Sequence, residues 1–390
     1  MSFPDGFLWG TATAAHQIEG GNATSDWWEF EHRPGTPCLE PSGDACDSWH
    51  RWPEDLDLCA VLGFGTYRFS IEWSRIEPAE GEWSRAALDH YRRICDGCRE
   101  RGLVPMVTFH HFTSPRWLAE RGGWEAPDAP ERFARFCQRA AAALGDLVGW
   151  ACTINEPNVV ALMGYVLGAF PPGVHDQDRR RRVDDALVRG HRLAVEALRS
   201  GPGSAPVGLT LSMSDYQALP GGEALADRLR HQSEDVYLQA TGGDDFVGVQ
   251  TYTRIRVGPD GMLGPEPGVP VTQMGYELWP EAVEATVRRA AAVSGLPVLV
   301  TETGVGTAED GDRIAYFSRV LQGVRRCLDD GVDVGGLVAW SLLDNFEWTL
   351  GYQPTFGLVA VDRRTFERRP KPSAHWLGEL ARHGGGDLAG

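Results

Sequence analysis

Lysine is almost missing from this chain: of 37 basic residues, Lys371 alone is not arginine. With Ala, Gly and Arg all abundant, that imbalance marks a GC-rich genome and carries no mechanism. Basic charge as a whole is also short. Against 54 acidic residues it leaves a formal net charge of −17, which excludes the basic face that nucleic acid or an anionic membrane would require. A neutral ligand suits such a surface better. No stretch approaches the ~20 apolar residues of a membrane-spanning helix. Residues 1–10 lack the basic segment and apolar run of a secretory leader. A soluble, cytoplasmic protein is expected.

Grouped cysteines are missing too. The eight, at positions 38, 46, 59, 95, 98, 137, 152 and 327, are scattered through apolar segments without disulfide-like or zinc-like spacing. Reduced core residues are expected, and no metal. Cys95 and Cys98 have a C-x-x-C spacing but lie in a helical pattern with Leu88, Tyr91 and Ile94 and have no second pair. The one basic run, Arg179 to Arg182, is flanked by Asp176, Asp178, Asp184 and Asp185. It reads as a solvated loop or helix start without a function.

Hydrophobic residues are present in ordinary proportion, 42% of 390, enough for one large core of the length that α/β barrels reach as single domains. Eight short apolar, β-branched runs recur at 7–13, 66–71, 104–110, 149–155, 207–212, 246–252, 298–302 and 336–341. Between them, segments such as 85–101, 130–144, 184–199, 280–294 and 312–329 place apolar residues three and four apart. Strand and helix in alternation predict an α/β fold, a single (β/α)8 barrel over residues 1–380, with a disordered tail at 381–390. The Gly/Pro-rich stretches 201–206 and 260–270 fall between barrel units and read as surface loops.

Polar and aromatic residues cluster where these runs end. Gln17 follows the first, Arg68 lies in the second, His110 and His111 end the third, and Asn155 and Glu156 end the fourth. Tyr252, Glu302 and Trp340 end the sixth, seventh and eighth. Barrel active sites sit at the C-terminal ends of the strands, so these residues converge on one mouth. Two glutamates in one mouth suit glycoside hydrolysis, in which one carboxyl protonates the departing oxygen and the other attacks or shields the anomeric carbon. Either could instead serve as a scaffold partner for an arginine.

The chain resembles family 1 glycoside hydrolases, the β-glucosidase family, over residues 3–376. The resemblance rests on Phe3-Pro4 and Gly10 through Gly20, on Tyr67 through Ile76, on Thr153-Ile154-Asn155-Glu156-Pro157 and on Thr301-Glu302-Thr303-Gly304. It closes with Trp340 through Trp348 and Phe356 through Asp362. Such a resemblance implies a retaining β-glycosidase without metal or organic cofactor, whose partner is a small β-glycoside, β-glucoside first and β-galactoside or β-fucoside next. Glu156 is then the acid/base, with a raised pKa, and Glu302 the nucleophile, kept ionised by Arg68 and Tyr252. Asn155 is implied as a ligand of the sugar 2-hydroxyl, Gln17, His111, Glu347 and Trp348 as ligands of the other hydroxyls, and Trp340 as the stacking platform. His110 is expected to be structural.

Glu347 stands where members acting on phosphorylated sugars carry serine, so an unphosphorylated sugar is implied, and intact Glu156 implies an O-glycosidase. The chain departs from the family pattern at Phe112 (usually Trp), Gln250-Thr251 (usually Asn-Tyr), Thr303 (usually Asn) and Thr355 (usually Arg). These bear on sugar preference and rate, and the short chain implies trimmed loops and a more open entrance. Alternatives using the same residues are a deglycosylase or transglycosidase of a bulky glycoside, and a catalytically weak sugar-binding barrel. A metal-dependent hydrolase would need an H-x-H partner that the first strand lacks.

Overall fold

The computed structural model describes residues 3–386. All eight runs are strands: β1 Leu8–Ala12, β2 Thr66–Ser70, β3 Val104–His110, β4 Trp150–Asn155, β5 Val207–Ser212, β6 Phe246–Gln250, β7 Val298–Thr303 and β8 Val334–Trp340. They are parallel and follow one another around a closed barrel, which β1 and β8 seal in the register Leu8 to Gly336 through Ala12 to Trp340. A (β/α)8 barrel results. Glycine permits one close approach at the seam, since a Cβ on Gly336 would lie 2.6 Å from the Cβ of Leu8.

Side chains alternate along each strand, so two cores form. Inside the barrel Met106, Cys152, Phe246, Leu299 and Val338 pack together, with Trp150 edge-on to Phe246 at 5.2 Å. Outside, a larger apolar layer joins the strands to the helices. Helix Ala129–Leu144 shows how: Phe133, Phe136, Cys137, Ala140, Ala141 and Leu144, spaced one, three and four apart, make its buried face. The apolar plug fills the lower barrel and leaves its upper end to polar groups.

Most differences from expectation lie between the strands. Helix Ser48–Leu62 was not among the segments with helical spacing, and it carries Pro53 internally. The basic run Arg179 to Arg182 does stand at a helix start, that of Gln177–Arg199, capped by Asp176, whose side chain accepts from the N–H groups of Asp178 and Arg179. Glu125 takes up Arg179 and Arg182. The loop expected at 260–270 contains the return strand of a hairpin, Gly261–Met262 against Arg254–Gly258, which pairs on its other edge with Asp215–Ala218.

The cysteines are free thiols, all buried but the half-buried Cys38; burial pushes Cys95 up to about 12. Part of the tail expected to be disordered is instead ordered. Helix Pro372–Arg382 runs into it, and the Gly384 carbonyl accepts from the N–H of Phe3 at 2.8 Å. Residues 387–390 lie outside the described residues. No described helix is long and apolar enough to cross a membrane.

Candidate active site

The two strands that carry the glutamates share an irregularity. Cys152 pairs with Gly208 and Asn155 with Thr210, so β4 holds one residue more than β5 over that stretch. In β7, Val300 pairs with Val249 and Glu302 with Gln250, while Val300 pairs with Leu337 and Thr303 with Ala339, again one residue too many. These are β-bulges, and an inserted residue reverses which side chain faces inward. Ile154 and Val300 face the outer core. Past the bulges, Asn155 and Glu302 turn into the mouth.

Glu156 comes next, at φ 44° and ψ 59°, just before Pro157 opens helix Pro157–Tyr165. Phe112 (φ 67°) and Trp348 (φ 51°) also adopt the left-handed region. A non-glycine residue there costs about 1–3 kcal/mol and persists only where its surroundings enforce it. All three line one cavity of about 290 Å³ at the C-terminal ends of the strands.

That cavity is also lined by Gln17, His111, Asn155, Tyr252, Glu302, Trp340 and Glu347. Arg68 lies fully buried beneath it. Its Nη1 donates to Glu302 Oε1, and its Nη2 to Asn155 Oδ1 at 2.6 Å. The Tyr252 hydroxyl donates to Glu302 Oε2 at 2.6 Å. Gln250 Nε2 donates to the same Asn155 oxygen at 2.9 Å. Both donors fix the Asn155 amide so that Nδ2, buried and without a protein partner, is left for a ligand.

Gln17 is set in the same way. Its Nε2 donates to Phe346 O at 2.7 Å and to Asn345 Oδ1 at 3.1 Å, and its Oε1 has no protein partner. His111 Nδ1 is likewise unpaired, in a ring nearly parallel to those of Trp340 and Trp348. Buried polar groups without partners are costly, and several around one cavity describe a polar ligand with hydroxyls on several sides. His110 faces away, packed edge-on to Trp124 at 5.2 Å with its Nε2 3.2 Å from Ser114 Oγ.

Burial is the first influence on every titratable group here. It pushes Glu156 well above the ordinary carboxyl range, and the charge of Glu302 adds to the rise, with Arg68 opposing it. Glu302 was expected to be low. Burial instead raises it, and Arg68 and Tyr252 restrain the rise. The order of the pair is therefore preserved while the level of both moves up. Glu347, whose oxygen accepts from Trp340 Nε1 at 3.3 Å, is pushed up to about 8 by burial. Burial, with Arg68 adding to it, holds the His111 imidazole well below its ordinary value, so the ring is neutral.

Three of the four departures from the family pattern find partners in one another or in nearby loops. Thr303 Oγ1 donates to Thr251 O at 2.8 Å, and Thr251 Oγ1 is 2.8 Å from Thr286 Oγ1, so both threonines point outward to the core. Thr355 binds Gln273 through its N–H at 2.8 Å, steadying the loop that brings Met274 and Tyr276 to the cavity. Phe112 packs on Trp348 and Phe170, at 5.1 and 5.4 Å between ring centroids. Met274, Tyr276 and Phe170 line the cavity without having been singled out from sequence. A glycine-flanked aromatic in a loop was the only signal for Tyr276.

With this geometry in view, the comparisons are specific. The model for glycosyl hydrolase family 1 matches residues 1–256 and 248–385. Beta-glucosidase A of Acetivibrio thermocellus is 32% identical over 444 aligned positions, covering 99% of this chain and 99% of the relative. Since 444 exceeds the 390 residues here, that relative holds segments this chain lacks. The bifunctional beta-D-glucosidase/beta-D-fucosidase of Bifidobacterium breve is 33% identical, covering 96% of this chain and 97% of the relative. Among solved structures, a beta-glycosidase matches with a TM-score of 0.93 at 49% identity, over 98% of this chain and 97% of the other. The Thermotoga maritima beta-glucosidase in complex with glucoimidazole matches with 0.92 at 31%, over 98% and 99%. The barrel, the paired glutamates at bulged strand ends and these full-length matches agree: the chain belongs to glycosyl hydrolase family 1 and is a glycoside hydrolase.

Proposed function

We propose that this chain hydrolyses terminal β-O-glycosides of unphosphorylated hexoses, β-glucosides first, with retention of configuration. The observation that carries the proposal is the unequal surroundings of two buried carboxyls in one cavity. Glu302, gripped by Arg68 and Tyr252, ionises first of the pair; Glu156 keeps its proton longer. In the first step a Glu302 oxygen bonds to the anomeric carbon as the glycosidic C–O bond breaks and Glu156 passes its proton to the departing oxygen. In the second, Glu156 takes a proton from water, whose oxygen displaces Glu302. Asn155 Nδ2 donates to the sugar 2-hydroxyl as charge develops, while Gln17, His111, Glu347 and Trp348 hold the other hydroxyls and Trp340 carries the sugar face.

Support for the sugar class comes from the relatives, named as beta-glucosidases and in one case as a glucosidase and fucosidase. Free cysteines throughout suit a reducing compartment and hence a cytoplasmic site of action. Proton NMR of p-nitrophenyl β-D-glucoside hydrolysis tests the proposal. β-Glucose appears first if it holds; α-glucose first, or no hydrolysis of any aryl β-hexoside, contradicts it.

A further inference from the structure

Past the bulge in β7, the ladder that joins it to β6 is finished by a side chain. Glu302 pairs with Gln250, and one more backbone bond follows, from Thr251 N–H to Glu302 O at 3.2 Å. A parallel ladder would next bring the N–H of Gly304 to Thr251 O. Thr303 Oγ1 stands there instead and donates to Thr251 O at 2.8 Å. Thr303 directly follows Glu302 and Thr251 directly precedes Tyr252. The bond therefore ties the chain beside the carboxyl to the chain beside the phenol that donates to it at 2.6 Å.

That tie is braced by two helices. Thr251 Oγ1 lies 2.8 Å from Thr286 Oγ1 of helix Ala282–Ser294, and Thr286 in turn donates to Ala282 O at 3.0 Å. Tyr316 of helix Asp310–Asp329 sets its hydroxyl 2.8 Å from Thr303 Oγ1. The N–H, carbonyl and hydroxyl of Thr251 are all engaged. Thr251, Thr286, Thr303 and Tyr316 are buried, so water cannot stand in for a lost partner. None of the four belongs to the wall of the catalytic cavity. Their hydroxyls act on the chain behind Tyr252 and Glu302, and a shift of that chain is carried along the tyrosine ring to its hydroxyl.

We propose that Thr303 is a positioning residue for the nucleophile: by holding Thr251 O, it fixes the Tyr252 hydroxyl on Glu302. The inference rests on the glycosidase activity proposed above. Glu302 is faced by Arg68 from β2, Cys152 and Glu156 from β4 and its end, Tyr252 from the end of β6, and Glu347 from beyond β8. Of these, Tyr252 is the one tied to Thr303. Its hydroxyl favours the ionised carboxyl, so a looser bond lets the Glu302 pKa rise and moves the acid limb of the kcat/KM profile to higher pH.

The test measures kcat/KM on dinitrophenyl β-glucoside against pH, in the wild type, in Thr303→Val, Thr303→Ala and Thr303→Ser, and in Tyr252→Phe with and without Thr303→Val. Thr303→Val should lose about 3–10-fold and move the acid limb upward. Thr303→Ser, which keeps the hydroxyl, should restore both. Where Tyr252 is already phenylalanine, the valine should cost less than about twofold, because the bond it loosens is gone. If the valine variant does not fold, Thr303→Ala carries the same comparison. An equal loss in both backgrounds, an acid limb that stays in place, or a loss that serine does not restore overturns the inference while the glycosidase reading stands. No hydrolysis by the wild type overturns that reading, and this inference with it.

Discussion

The ends of β4 and β7 are built alike and finished differently. Each strand carries one inserted residue, and each delivers a glutamate that is nearly buried, Glu156 at 8% and Glu302 at 3% exposure. At β7 a guanidinium and a phenol each donate to one carboxyl oxygen of Glu302. At β4 the arginine reaches the neighbouring Asn155 instead, and Glu156 feels it only at a distance. Arg68 and Tyr252 hydrogen-bond to Glu302 and not to Glu156, and unequal surroundings of this kind separate the behaviour of two chemically identical groups.

The largest expected effect falls on Glu302, the proposed nucleophile. Glu302→Gly should lose about 10⁴-fold or more in kcat on every β-glucoside, whatever the leaving group. Glu156→Gln should instead discriminate. Substrates with a poor leaving group should lose about 10²–10⁴-fold, whereas dinitrophenyl glucoside, which departs without a proton, should lose far less in the first step. With Glu156 as the proposed acid, the alkaline limb of the kcat/KM profile should disappear in that variant. Equal losses across leaving groups in both variants would break the comparison.

Tyr252→Phe should have the smaller effect of losing one hydrogen bond to a charged group, about 1.5–3 kcal/mol, or roughly 10–100-fold in kcat/KM. The sign of its pH effect is fixed by the site. Tyr252 lowers the Glu302 pKa, so its removal lets that pKa rise, and the acid limb of the profile should move to higher pH. A limb that stays in place would mean that Tyr252 does not act on the ionised form.

Much of this site was legible because barrel strands are short β-branched runs and because the chemistry demands rare residue types at their ends. The two glutamates, Asn155 and Arg68 needed no geometry to be noticed. The bulges were invisible, since register is a property of two strands and neither sequence alone records an extra residue. The left-handed backbone at Phe112, Glu156 and Trp348 left no trace because none is glycine. The level of the Glu302 pKa depends on how deeply the barrel buries it, which no motif states. Gly261 and Met262 fall in the stretch 260–270 that reads as a loop and are in fact the return strand of a hairpin. Helix Ser48–Leu62 was hidden by Pro53.

The division of labour between the two strand ends is tested most directly by azide rescue of Glu302→Gly and Glu156→Ala on dinitrophenyl β-glucoside, with the configuration of the glucosyl azide read by NMR. Without Glu302, azide must displace the leaving group itself from the opposite face, giving the α-azide. Without Glu156, the glycosyl-enzyme still forms on Glu302, and azide displaces it to give the β-azide. Those two products are the result expected; β-azide from Glu302→Gly, or α-azide from Glu156→Ala, would contradict the assignment.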